Sequence, residues 1–259
     1  MDVSTSPLPA RLWQLDALRG LALLNMLVYH AMYDWVYIFG LPAPWYDITA
    51  PGCHVWQQYI CWSFLLLAGF SATLSRSVLR HGLITAFCAA VLTLVTAAAM
   101  PSQAIWFGVL HLIGCALLLT RALRRPLAAV PPAAGLAVCA ALFALTNQLP
   151  NGYLGFESLR LVRLPEALYA PNWFWLGLPD LGRFSSADYF PLIPWLFLFW
   201  CGYFLARLLG RERVRAASGA PPAALRPLCF AGRHTMVVYM LHQPVLYGAL
   251  LALTAVGVL

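Results

Sequence analysis

The stretch "LDALRGLALLNMLVYHAMYDW", residues 15–35, decides the fold because it is apolar enough for a bilayer yet carries ionisable side chains. Ionisable groups inside a membrane are costly, so they normally face a protein interior or a water-filled cavity. The stretch therefore predicts a retained first membrane helix in a bundle with a polar interior. Its polar residues are Asp16, Arg19, Asn25, His30 and Asp34.

The whole chain has the composition of a membrane protein. Of its 259 residues 62% are hydrophobic and 10% are charged, whereas about a quarter of the residues of soluble domains are charged. Apolar runs of about 20 residues, the length that crosses a bilayer core, recur from end to end. We predict an all-α, polytopic membrane helix bundle of about seven transmembrane helices, at residues 14–35, 57–75, 82–100, 105–122, 127–146, 188–209 and 230–257.

The connections predict one integral-membrane domain over residues 1–259. Residues 147–187 form the one long connection, and their many aromatic residues suit the membrane interface on the outer side. Residues 210–229 form a basic cytoplasmic loop that is rich in Gly, Pro and Ala.

Arginine positions predict the orientation, since all sixteen basic side chains are arginine. With a cytoplasmic N-terminus, only Arg160, Arg163 and Arg183 fall on the outer side, as the positive-inside rule requires. The same rule explains the net charge of +7, so we expect no nucleic-acid partner. The seven cysteines have no spacing typical of a zinc site or a disulfide framework, and we expect no metal.

The polar residues of the spans separate into two depths. At about 1.5 Å per helical residue, His30 lies roughly 16 Å deeper than Arg19. Asp34 follows His30 by one helical turn, so the two side chains share a face and can hydrogen-bond. The inner level holds Asp16, Arg19, Arg233 and His234, and the middle-to-outer level holds Asn25, His30, Asp34, His111, Asp188, Tyr239, His242 and Gln243.

Structural and functional interpretations compete for these residues. Arg19 can pair with Asp16 or contact lipid headgroups, and it can equally contact a ligand phosphate. Arg233 and His234 open a helix, where free N–H groups favour an anion. An Asp that orients a His is the arrangement of a general base, which favours a functional role for His30.

Four motifs resemble a known family. "RLWQLDALRGLALLNMLVYHAMYD" (11–34) is similar to the opening of integral-membrane acyltransferases. More specifically, three further stretches resemble the bacterial branch of the heparan-α-glucosaminide N-acetyltransferase catalytic-domain family. These stretches are "FGVLHLIG" (107–114), "SADYFPLIPWLFLFWCG" (186–202) and "AGRHTMVVYMLHQPV" (231–245).

This resemblance implies transfer of an acetyl group from cytoplasmic acetyl-CoA to an amino sugar or other envelope glycan across a bacterial inner membrane. It implies that His30 deprotonates the acceptor or carries the acetyl group itself, with Asp34 orienting it. His54 lies in the first outer loop, where the animal enzyme places its proposed acetyl-carrying histidine. A homodimer in the bilayer is compatible with this scheme. Arg19, Arg233 and His234 would hold the CoA phosphates, whereas His111, Asp188, Tyr189, His242 and Gln243 would bind the acceptor or the developing oxyanion.

Two other classes of function fit the same residues. A haem-bearing electron carrier needs two histidines that face each other, and His30 and His111 are the candidate pair. A proton-coupled transporter would use Asp34 and His30 as a relay. Transporters usually carry internal repeats, which this sequence does not show.

Overall fold

The structure, a computed structural model, describes residues 12–210 and 219–257. The chain is mostly helical, as predicted. Nine α-helices lie in the described part of the chain, together with one short β-hairpin. They are α1 (Trp13–Tyr33), α2 (Pro51–Leu74), α3 (Val78–Ala99), α4 (Val109–Ala122), α5 (Arg124–Ala129), α6 (Pro132–Thr146), β1 (Tyr153–Phe156), β2 (Leu159–Arg163), α7 (Leu192–Leu209), α8 (Arg226–Arg233) and α9 (Thr235–Ala255).

Four helical segments of the described residues are long and apolar enough to cross a bilayer. They are α3, Pro132–Asn151, α7 and α9, so the chain is a membrane protein. Helices α1 and α2 have 21 and 24 residues, but the polar side chains along them lower their hydropathy. The seven spans and the cytoplasmic N-terminus stay predictions.

Two predicted spans are interrupted in the structure. The span at 230–257 is divided at His234, where α8 ends and α9 begins. The span at 127–146 is divided at Val130 and Pro131, because proline has no N–H to continue the helical hydrogen bonds. The basic connection predicted at 210–229 is shortened by α8, and residues 211–218 lie outside the described residues.

The chain divides into two compact units, residues 1–64 with 211–259, and residues 65–210. In the first unit, Leu23 and Met26 of α1 pack with Ile60 of α2. Helices α1 and α8 approach so closely that a Cβ at position 232, which is Gly232, would overlap the backbone carbonyl of Asp16. Small residues permit such close helix packing in membranes, and here the approach brings the end of α8 beside the start of α1.

The second unit has its own core. Phe199 of α7 is completely buried and packs with Ala116 of α4 and Ala72 of α2. The segment between α6 and α7 consists of the antiparallel hairpin, with an irregularity between Leu154 and Gly155, and several single turns. The single-domain organisation over residues 1–259 stays a prediction.

Candidate active site

Helix α1 ends in a π-helical turn, Asp34–Ile38, in which the Phe39 N–H donates to the Asp34 carbonyl over 2.9 Å. Such turns often lie at functional sites. The Asp34 side chain is completely buried, and its Oδ1 accepts a hydrogen bond of 2.6 Å from Nε2 of Gln243 in α9. Among the described residues no hydrogen bond joins the side chains of Asp34 and His30, so the expected His–Asp pair is replaced by an Asp–Gln pair.

His242 lies on the same helix as Gln243 and has a defined tautomer. Its Nδ1 lies 2.6 Å from the carbonyl oxygen of Tyr239. Because a carbonyl can only accept, Nδ1 carries the hydrogen and Nε2 of the neutral ring is an acceptor. The His30 and His242 ring centroids are 4.8 Å apart. The structure thus brings four predicted site residues together as the His242 cluster, which comprises His30, Asp34, His242 and Gln243.

The His242 cluster contains buried acceptors that no described residue satisfies. They are Nε2 of His242, Oδ2 of Asp34 and Oε1 of Gln243. A buried polar atom without a partner costs about 1–3 kcal/mol. All three atoms accept hydrogen bonds, so the group that completes this cluster must bring N–H or O–H donors.

Side chains from α2 and the loop before it support α1 beside this cluster. Nε1 of Trp56 donates to Oδ1 of Asn25 over 2.9 Å, and the Tyr46 hydroxyl donates to the Tyr29 carbonyl over 3.2 Å. Burial raises the pKa of Tyr46 well above its ordinary value, so its phenol remains a donor. Sequence reasoning missed Trp56 and Tyr46, although Asn25 inside an apolar helix signals that a polar partner is needed.

A second group, the Asp16 cluster, contains Asp16, Arg19 and Arg233. The Asp16 side chain is 1% exposed and accepts from Nη1 of Arg19 over 2.9 Å and from Nε of Arg233 over 3.2 Å. The two arginines predicted to hold phosphate are therefore brought together by one carboxylate, and the three charges sum to +1. His234 is exposed beside them, and its Nδ1 donates to the Phe230 carbonyl over 2.9 Å.

His111, in the second unit, has both ring nitrogens engaged. The Gly108 N–H donates to Nδ1 over 3.2 Å, so Nε2 carries the hydrogen of the neutral ring. Nε2 lies 3.1 Å from Oγ1 of Thr93, whose hydroxyl donates to the Ile105 carbonyl over 2.7 Å. The ring thereby stabilises the turn that leads into α4.

Asp188 serves the same turn. Its Oδ2 accepts from the Val109 N–H over 3.0 Å, which satisfies a donor at the start of α4. We call Thr93, Gly108, His111 and Asp188 the His111 cluster. The Tyr189 hydroxyl donates to the Phe174 carbonyl over 2.6 Å. Within residues 65–210, all of which the structure describes, no buried side-chain nitrogen or oxygen lacks a partner.

The described residues contain no group of three or more His, Cys, Asp or Glu side chains placed to hold a metal ion. The His242 cluster can accept protons and hydrogen bonds, and the Asp16 cluster can attract an anion. Both properties are needed for acid–base and group-transfer chemistry in a polar site between helices.

Helices long enough to cross a bilayer, together with a buried histidine site, define a helical membrane protein with a candidate catalytic centre. The family model described as "Heparan-alpha-glucosaminide N-acetyltransferase, catalytic" matches residues 11–244. The chain therefore belongs to this family, as its four motifs predicted, and is a membrane enzyme of the acyltransferase type. No significant match was found among curated proteins or among solved structures.

Proposed function

We propose that the protein transfers an acetyl group from acetyl-CoA to the amino group of a sugar acceptor, and that the His242 cluster is where the transfer takes place. The observation that carries this proposal is the buried Nε2 of His242, an acceptor without a partner among the described residues. Membership of the family supports an acyl transfer reaction, and a positioned imidazole is the commonest general base.

In this reaction the acceptor nitrogen attacks the thioester carbonyl carbon. A carbon–nitrogen bond forms, the carbon–sulfur bond breaks, and Nε2 of His242 takes the proton that the amine loses. The CoA thiolate leaves and accepts that proton to become the thiol. General-base assistance of this kind contributes about 10²–10⁴-fold to the rate.

The hydrogen bond from Nδ1 of His242 to the Tyr239 carbonyl supports His242 as the base, because it leaves Nε2 of the neutral ring free to accept a proton. His30, the base expected from the sequence, stays in the site as the ring that packs against it. A covalent acetyl-histidine on His30 is the double-displacement version of the same reaction, and label trapped on the protein before acceptor is added would reveal it.

Asp34 and Gln243 are proposed to bind the acceptor. The Gln243 amide holds one oxygen of the Asp34 carboxylate, which leaves Oδ2 of Asp34 and Oε1 of Gln243 as buried acceptors. An amino sugar supplies an amine and hydroxyl groups, which are the donors that these atoms need.

The Asp16 cluster is proposed to bind the phosphates of CoA. Asp16 fixes two guanidinium groups side by side, and the net positive charge of the cluster attracts an anion. The Arg233 side chain is 42% exposed, so it can reach a ligand in solvent. His234, exposed at the same helix junction, would add a further contact.

The proposed topology is the predicted one, with seven spans and a cytoplasmic N-terminus in a bacterial inner membrane. It puts the Asp16 cluster at the cytoplasmic surface, where CoA is available, and residues 147–187 on the side of the acceptor. The predicted role of His111, Asp188 and Tyr189 was contact with the substrate. Their hydrogen bonds instead favour a role in positioning α4 and α7. A homodimer stays a prediction.

The haem-carrier alternative is less well supported than the acetyltransferase. It needs a free ring nitrogen on His111, and both of its nitrogens are hydrogen-bonded within the second unit. No contact among the described residues specifically favours the transporter alternative.

The test is incubation of the purified full chain with labelled acetyl-CoA and glucosamine. We expect labelled N-acetylglucosamine from the wild type and a loss of at least 100-fold in His242→Ala, from the magnitude of general-base catalysis. His81→Ala is the matched control, because His81 is an exposed histidine that contacts Ser75. Absence of amine acetylation by the wild type, or full activity in His242→Ala, would refute the proposal.

A further inference from the structure

Helices α1, α8 and α9 form a groove whose walls are entirely apolar. Its cavity volume is about 300 Å³, at the lower end of the range of about 300–1,000 Å³ that is typical of small-molecule sites. Helix α1 lines this groove along one face from Gly20 to Leu27, α8 contributes Pro227 and Ala231, and α9 contributes Val238. All three helices belong to the first unit, so the α1–α8 groove lies within one compact part of the chain.

The shape of the α1–α8 groove suits an extended apolar chain. Gly20 and Leu27 are seven residues apart, which corresponds to about 10 Å along the helix axis. Leu23 is buried and Leu24 is half-exposed, so the groove is open to the surface of α1. A polar group placed here would lose its hydrogen bonds to water without replacement. The part of a ligand that fills the groove must therefore be apolar.

Cationic side chains stand at the border of this apolar groove. Each of three arginines is within two positions of a residue that lines it, namely Arg19, Arg226 and Arg233. Arg19 and Arg233 share the single carboxylate of Asp16. Arg226 is exposed, and its side chain forms no hydrogen bond or ion pair with a described residue. A ligand of the groove therefore meets a positive charge next to its apolar part.

The exposed face of α8 carries this charge together with an aromatic ring. Arg226 and Arg233 are seven residues apart, which is almost two helical turns, so they share one face. Phe230 lies between them on that face, is exposed, and has its ring centroid 4.4 Å from that of His234. Basic and aromatic residues together are typical of helices that lie at the boundary between lipid headgroups and acyl chains.

We propose that the α1–α8 groove binds one anionic phospholipid, with an acyl chain in the groove and the headgroup phosphate at Arg226. Such a lipid joins an apolar chain directly to a negative charge, which is the combination that the groove and its border present. Basic pockets between membrane helices bind anionic headgroups in this way. The proposal goes beyond the proposed function, because the lipid is not a substrate and Arg226 is not assigned to CoA.

The headgroup contact is tested by native mass spectrometry of the detergent-solubilised full chain, incubated with phosphatidylglycerol or with phosphatidylcholine of the same acyl chains. We expect the wild type to retain one phosphatidylglycerol and to bind phosphatidylcholine more weakly. Arg226→Gln should weaken phosphatidylglycerol binding about fivefold, the effect expected of one arginine beside an anionic lipid. Arg80→Gln is the matched control, an exposed arginine of the second unit, and it should bind like the wild type.

The acyl-chain contact is tested with Leu24→Trp, which puts a larger side chain into the groove at a half-exposed position. Binding of phosphatidylglycerol should weaken at least about tenfold, since the displacement of two methylene groups accounts for that factor. Leu94→Trp is the matched control, because Leu94 is an exposed apolar residue of α3. The melting temperature of each variant, measured in detergent, shows that it is folded.

The proposal is overturned if the wild type retains both phospholipids equally, or if Arg226→Gln retains phosphatidylglycerol as the wild type does. It is also overturned if Leu24→Trp binds this lipid normally, because the headgroup alone would then account for binding. Arg226 is exposed, so its substitution does not threaten the fold and this variant decides the matter even if Leu24→Trp does not fold.

Calorimetric titration with acetyl-CoA separates this lipid site from the proposed CoA site. Arg226→Gln should bind acetyl-CoA as tightly as the wild type does, because the Asp16 cluster is unchanged. An equal loss of phosphatidylglycerol and acetyl-CoA binding in Arg226→Gln would overturn the lipid site. A wild type that retains phosphatidylglycerol but does not bind acetyl-CoA would refute the proposed function and support the lipid site.

Discussion

The His242 cluster and the His111 cluster each contain a histidine and an aspartate, and they differ in how their hydrogen bonds are satisfied. In the first unit, His242 has one nitrogen bonded to a carbonyl and the other buried without a partner among the described residues. In the second unit, His111 has both nitrogens bonded, one to Gly108 and one to Thr93. A histidine inside an apolar helix therefore does not identify a reaction site, whereas an unsatisfied buried nitrogen points to one.

The two clusters differ because only the His111 cluster has backbone N–H groups to satisfy at a helix start. The first N–H groups of a helix have no partner within that helix, and the side chains of His111 and Asp188 take up such donors at the start of α4. The His242 cluster satisfies no comparable backbone group with its three remaining acceptors. Leaving them empty would cost about 1–3 kcal/mol each, so we expect ligand or water donors to occupy them.

The largest effect should come from His242→Ala. We expect the rate of acetyl transfer to fall about 10²–10⁴-fold, while KM for acetyl-CoA stays within twofold because the Asp16 cluster is unchanged. Initial rates with labelled acetyl-CoA measure both quantities. A fall in kcat of less than fivefold would show that another group takes the proton, and His30→Ala would then be the next variant to assay.

A smaller effect is expected from Asp34→Asn. The asparagine oxygen can still accept a hydrogen bond from Gln243, but an N–H₂ group replaces the unsatisfied Oδ2. The amine of glucosamine would then face a hydrogen-bond donor instead of the acceptor oxygen that it needs. We expect KM for glucosamine to rise about tenfold, equivalent to about 1.4 kcal/mol. Gln243→Glu is the companion variant, since it removes the donor to Asp34 and should also raise this KM. An unchanged KM in Asp34→Asn would remove Asp34 from the acceptor site.

His111→Ala should lower stability more than catalysis. It leaves the Gly108 N–H without its partner, which costs about 1–3 kcal/mol. At about 2–4 °C per kcal/mol for a chain of this size, the melting temperature should fall by several degrees. Thermal unfolding in detergent measures this shift, and the rate per folded molecule should stay within fivefold of the wild type. A normal melting temperature with a 100-fold lower rate would give His111 the catalytic role that we assign to His242.

The smallest effect is expected from Asp188→Asn. The asparagine oxygen keeps the hydrogen bond to the Val109 N–H, so we expect the melting temperature to change by less than about 2 °C. Asp188→Ala removes that bond and should cost about 0.5–2 kcal/mol, as for other helix N-caps. If Asp188→Asn abolished transfer without unfolding the chain, the charge of Asp188 would be needed for the reaction.

Much of the fold could be predicted, because an apolar run of about 20 residues is enough to indicate a membrane helix. The sequence alone did not reveal where helices are interrupted, as at His234, or the π-helical turn at Asp34. Nor did it reveal the close approach of α1 and α8. That contact depends on Gly232 lying against the Asp16 carbonyl. The position of a glycine in the sequence does not indicate which distant residue it contacts.

The candidate site could be predicted in part, because the depth of a residue in a membrane helix can be calculated from the sequence. Depth along a helix follows from residue number, and this placed His30, Asp34, His242 and Gln243 at one level, where the structure brings them together. The same calculation also placed His111 and Asp188 at that level, but depth along a helix does not tell which helices share a compact unit, and these two residues belong to the second unit. Side-chain hydrogen-bond partners depend on helix faces, which is why the Asp34 carboxylate accepts from Gln243 and not from the His30 ring.

Nitrogen NMR of the histidine-labelled full chain distinguishes the two histidines, with His242→Asn and His111→Asn used to assign the two rings. Titration with glucosamine should shift the Nε2 resonance of His242, because a ligand donor fills an empty acceptor, and should leave both His111 resonances in place. A shift at His111 with none at His242 would contradict the account.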